Sequence, residues 1–125
     1  MYKIFLLTGT VLAALAVMIG AFGAHALKTT LEATERLDTF ETAVKYQFYH
    51  SLALLILGLL MMKANHSLFN TAGYSFIAGI ILFSGSLYML SLTGVTKWGA
   101  VTPIGGLAFI IGWAALFIGI IKAFD

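Results

Sequence analysis

The sequence has no cysteine, a single proline (Pro103) and few charges, with seven bases and five acids among 125 residues. Without cysteine there is no disulfide, no zinc-thiolate site and no thiol nucleophile, and redox compartment leaves no mark on the chain. The charged share of 10% is far below the roughly 25% of a soluble domain. Four of the acids, Glu32, Glu35, Asp38 and Glu41, fall in one short segment, and the fifth is Asp125. None therefore interrupts an apolar run, which removes the mid-membrane carboxylate that a proton-coupled small multidrug transporter requires. The bases are scattered and the net charge is only +2, so the clustered phosphate-facing patch of a nucleic-acid binder is absent and no nucleic-acid partner is expected.

Apolar residues are plentiful instead, at 61% of the chain with a mean hydropathy of +1.01. This is the composition of an integral membrane protein, with the lipid bilayer as its first partner. Apolar runs over residues 4–27, 44–63, 71–93 and 103–123 are each long enough for a helix crossing a hydrocarbon core of about 30 Å. The expected fold is all-α, a four-helix transmembrane bundle forming one domain over residues 1–125, with a partly amphipathic first connection. The start of the chain admits a second reading, in which Lys3, the apolar run and Ala24-His25-Ala26 form a cleaved signal sequence. The apolar run exceeds the usual 7 to 15 residues and three further spans follow, so retention is expected, with both termini on one side.

The second run contains the chain's most informative stretch. Residues 52–62 are wholly apolar but number only eleven, about half of a span, so the preceding Tyr46-Gln47-Phe48-Tyr49-His50-Ser51 must enter the membrane. Counted from Lys63, His50 lies about 20 Å inward. Polar groups at such depth are costly, and they mark a site by default. His25 ends the first run on the same membrane side. The expected polar cluster thus comprises His25, Asp38, Glu41, Tyr46, Gln47 and His50. It admits a bis-histidine haem, a metal site completed by Asp38 or Glu41, a proton-sensing pair, or a purely structural set in which each imidazole bonds a tyrosine or a carbonyl.

Small residues recur at spacings of three and four along two of the runs: Gly9, Ala13, Ala16, Gly20 and Gly23 in the first, Gly105, Ala108, Gly112, Ala115 and Gly119 in the fourth. Such stripes let helices approach closely, so these two runs are expected to be the closest-packed elements, with each other or with a second copy. Asp38 with Glu41 reads as a helix N-cap and capping box, Glu41 with Lys45 as an i,i+4 pair, Gly94 as a C-cap, and Thr102-Pro103 as N-cap and N1. Trp113 falls near the middle of the fourth run, where an indole needs a hydrogen-bond partner or serves as a space-filler against the glycines.

The chain resembles, over its whole length, a small bacterial inner-membrane family known as domain of unknown function 423, or uncharacterised protein family 0382. The resemblance rests on Gly20-Ala21-Phe22-Gly23-Ala24-His25-Ala26-Leu27, Tyr46-Gln47-Phe48-Tyr49-His50, Phe83-Ser84-Gly85-Ser86-Leu87-Tyr88, and Thr102-Pro103-Ile104-Gly105-Gly106 followed by Gly112-Trp113. It implies a multi-pass protein of the bacterial inner membrane and no particular reaction. No serine sits in a nucleophile elbow, so an enzyme is not expected, nor is any cofactor. The sequence favours a structural or interaction component that joins a second copy or a larger membrane complex. The alternative is a small oligomeric transporter or channel lined by Ser84, Ser86, Thr8 and Gln47.

Overall fold

A computed structural model describes residues Met1–Asp125. Helix α1 spans Tyr2–Ala24, a short α2 spans Lys28–Ala33, and α3 spans Leu37–Met61. The third span is continuous but not uniform: α4 (Ser67–Gly79) runs through a π-helical turn (Ile80–Ser84) into α5 (Gly85–Thr93). A 3-10 turn over Thr96–Ala100 leads into α6 (Thr102–Ala123). Four helical spans are long and apolar enough to cross a membrane, with mean hydropathies from 1.3 for α3 to 2.4 for the last. The all-α four-span architecture expected from the runs is the one observed.

The lowest hydropathy belongs to the helix with the most neighbours. Helix α3 packs along α1, α4, the π turn and α5, while α6 packs along α4 and the π turn. Its window is also the most buried of the four, which is why it tolerates polar side chains that the lipid-facing helices lack. The outer faces are apolar to the bilayer; Ile110 and Phe117 of α6 are 66% and 67% exposed.

The small-residue stripes act within two separate hairpins. Helices α1 and α6 do not pack against each other: α1 lies along α3, and α6 along α4. Within the chain the two stripes do not meet, because Gly23 of the first and Gly112 and Gly119 of the other take phenylalanine rings from the antiparallel neighbour instead. Phe40 covers Gly23, Phe109 covers Gly79, Phe76 covers Gly112 and Phe69 covers Gly119, while Phe5 of α1 reaches across to cover Gly73 of α4. A Cβ on Gly112 would stand 2.7 Å from two carbons of the Phe76 ring. Backbones themselves come closest at two places, where Gly9 faces the Ser51 carbonyl and Gly105 faces the backbone of Phe83 in the π turn. Ala16 and Ala115 are buried in these seams, whereas Ala13 and Ala108 are only half-buried at their edges.

Several helix ends differ from expectation. Helix α3 begins at Leu37 with Arg36 at the N-cap, so Asp38 lies in the first turn, where its charge still suits the positive end of the helix, and caps nothing. Thr102 is the first residue of α6 rather than its cap, because its hydroxyl is shared with Ser86 at 2.6 Å. Helix α4 starts earlier than the apolar run because His66 caps it, Nδ1 accepting from the Leu68 N–H at 3.1 Å. Gly94 closes α5 as expected, at a φ of 74° that suits glycine. The Arg36 guanidinium lies over it, a cation at the negative end of a helix. Glu41 and Lys45 do not pair; the one ion pair is Lys28 with Glu32, at 4.0 Å on the surface.

Candidate functional site

The polar groups that enter the membrane are carried by one face after another of α3, and each reaches a different helix. Gln47 is buried between α1 and α5. Its Nε2 donates to the Leu12 carbonyl at 2.9 Å, and its Oε1 accepts from the Tyr88 hydroxyl at 2.6 Å. Because a carbonyl only accepts, the amide orientation is fixed by Leu12 and the phenol is left to donate. The Tyr88 ring stands edge-on to Phe40 at 5.5 Å, the same ring that fills the notch at Gly23. One turn earlier on α3, the Ala43 carbonyl accepts from Ser84 at 2.8 Å, tying the π turn to the helix.

His50 faces the other side. Its Nδ1 lies 2.8 Å from the Tyr46 carbonyl, and its Nε2 lies 3.0 Å from Nε1 of Trp113. An indole N–H can only donate, so Nε2 accepts and Nδ1 carries the proton: the ring is neutral, in a single tautomer. Around it stand Phe109, stacked at 3.6 Å and 10°, Phe76 at 5.5 Å and Trp113 at 5.7 Å, with Tyr46 stacked at 6.2 Å. Trp113 remains 47% exposed, so its ring faces lipid while its N–H is spent inward. The indole found a partner, and that partner is the histidine.

The six residues expected to form one cluster are therefore divided. Tyr46 and His50 share the aromatic box; Gln47, three residues away, points to the opposite neighbours. His25 is exposed at the end of α1, beside Met18, Phe22 and Ala26. The antiparallel register sets Gly23 against Phe40 and Gly20 against Val44, so His25 lies at least ten residues from His50 along α3, about 15 Å. No single iron or other ion can join the two imidazoles at ordinary ligand distances of about 2 Å. Asp38 and Glu41 are exposed on the first turns of α3, outside the core. The residue count had matched membrane side without matching depth or helix face.

Other participants left a weaker sequence signal. Tyr88 and Ser84 stood in the quoted Phe83–Tyr88 motif but had no assigned partner, and Phe76 and Phe109 read only as apolar. Three other buried serines bond carbonyls of their own span, Ser51 donating to the Gln47 carbonyl at 2.6 Å, Ser86 to that of Phe83 at 2.9 Å and Ser91 to that of Leu87, while Ser86 also meets Thr102 of α6. Among buried side-chain polar atoms only Asn70 Oδ1 has no partner.

Residues 19–106 match the family model described as a protein of unknown function, DUF423. The chain belongs to this family. The matched segment contains the central stretch of α3 and the π turn. The UPF0382 membrane protein YwdK of Bacillus subtilis is 43% identical over 121 residues, covering 96% of this chain and 98% of that one. A UPF0382 membrane protein of Staphylococcus aureus is 47% identical over 120 residues, 96% and 97% of the two chains. The UPF0382 inner membrane protein YgdD of Escherichia coli is 41% identical over 106 residues, 85% of this chain and 80% of its own. No solved structure matches. This DUF423 member is thus a multi-pass protein of the bacterial cell membrane.

Proposed function

We propose that this DUF423 protein is a structural or interaction component of the membrane, which works by associating with a second copy or a larger membrane complex and is not an enzyme. The observation that carries the reading is the consumption of polar capacity inside the bundle. Gln47, His50, Ser51, Ser84, Ser86, Tyr88 and Trp113 all have partners within the chain, and most of those bonds tie one helix to another. A transported ion or a substrate would have to displace them. The buried serine hydroxyls, those of Ser51, Ser84, Ser86 and Ser91, donate to backbone carbonyls, which leaves none of these four poised beside a base for nucleophilic chemistry. The surface furrows are open and overwhelmingly apolar in lining, as suits lipid or another helix.

Extraction of native membrane into polymer-bounded discs, followed by mass measurement, tests the reading. The protein is expected in particles holding more than one copy or a second membrane protein. A single copy surrounded by lipid alone, at native abundance, contradicts it.

A further inference from the structure

Between α1 and α3, near the membrane side that carries α2, lies a furrow of about 270 Å³ lined by Ala16, Val17, Gly20, Val44, Phe48 and Lys45. Small residues on α1 create it. Lys45 stands at its edge, exposed and without an acidic partner. Lys45 and Lys63 are eighteen residues apart on the same run, about 27 Å, close to the thickness of a hydrocarbon core. The Lys45 ammonium therefore lies at the boundary where lipid phosphates begin. Glu41 lies one turn further outward on the same helix face, also exposed and unpaired, although an i,i+4 Glu and Lys ordinarily pair.

We propose that this furrow is a binding site for a phospholipid with an ammonium headgroup, a phosphatidylethanolamine. Along the membrane normal the chain presents, from inside out, an apolar furrow, a cation and an anion. Phosphatidylethanolamine presents an acyl chain, a phosphate and an ammonium in that same order. The acyl chain lies against Val17, Gly20, Val44 and Phe48, the phosphate on Lys45, and the ammonium on Glu41. Phosphatidylglycerol satisfies Lys45 but sets its uncharged glycerol against Glu41 and brings a net negative charge beside that carboxylate. The order of charges thus selects the zwitterion.

Native mass spectrometry of the full-length protein in detergent, titrated with phosphatidylethanolamine, phosphatidylglycerol and diacylglycerol of matched chains, tests the site. Phosphatidylethanolamine is expected to be retained most strongly. Lys45→Gln should weaken it about fivefold, the factor corresponding to one basic residue near a lipid surface. Glu41→Gln should weaken phosphatidylethanolamine while leaving phosphatidylglycerol unchanged or tighter. Val17→Trp, at an exposed position that fills the furrow, should weaken both phospholipids. Equal retention of all three lipids, or insensitivity to Val17→Trp, overturns the site. Preference for phosphatidylglycerol, or a Glu41→Gln variant that keeps full phosphatidylethanolamine retention, overturns the headgroup assignment.

Discussion

Gln47 and His50 show how two side chains on one helix can hold different neighbours. Each donor in these bonds faces an acceptor that has no better use, since the Leu12 carbonyl has a second lone pair and the imidazole Nε2 has no proton. Interhelical hydrogen bonds in membranes average about 0.6 kcal/mol and reach about 1.7, because the unfolded helices in lipid also find partners. The bond from Trp113 to His50 is shielded by Phe109 and Phe76 and belongs in the upper half of that range. A double-mutant cycle of His50→Gln and Trp113→Phe, read by equilibrium unfolding in mild detergent, should return a coupling of about 1 kcal/mol. Additive effects would mean that the two rings only touch.

At the scale of elements, a phenylalanine set into a glycine notch is the repeated unit of packing. It appears at Gly23, Gly73, Gly79, Gly112 and Gly119, and it joins α1 to α3, α1 to α4, and α4 to α6. A leucine at Gly112 must displace the Phe76 ring, and overpacking of this kind costs about 1–3 kcal/mol. Gly112→Leu should lower the melting temperature, and adding Phe76→Ala, which vacates the same volume, should recover part of the loss. No recovery would place the strain elsewhere. The glycine stripes themselves were legible in the sequence, because spacings of three and four fix a helix face whatever lies against it. Their partners were not, since a stripe is equally compatible with another stripe or with a ring, and the phenylalanines of a membrane chain look alike whether they face lipid or a notch. Gly94 was legible for a different reason: a left-handed cap is a local demand. Asp38 misled because α3 already starts at Leu37, which puts its side chain inside the first turn, and Thr102 because its hydroxyl is taken up by Ser86. His25 misled because sequence position gives the membrane side but neither depth nor azimuth.

At the scale of the whole molecule, α3 is the least apolar span and the one the other spans close around, with α1 on one flank and the α4–α6 hairpin on the other. The four spans and the membrane location were readable from composition and run length alone, as hydrocarbon thickness sets the length of every crossing. The π turn was not, since nothing in Ile80-Ile81-Leu82-Phe83-Ser84 departs from an ordinary apolar helix; its cause lies in the tertiary contacts of Phe83 with Gly105 and of Ser84 with Ala43. The central claim is that the polar side chains of α3 are committed to holding the helices together and offer no path to a solute. Reconstitution of the purified protein in liposomes, with proton, sodium and potassium flux followed under an imposed gradient, tests that claim most directly. The account predicts fluxes equal to those of protein-free liposomes, for the native chain and for Gln47→Leu alike; a saturable flux that rises with protein density and disappears in Gln47→Leu would contradict it.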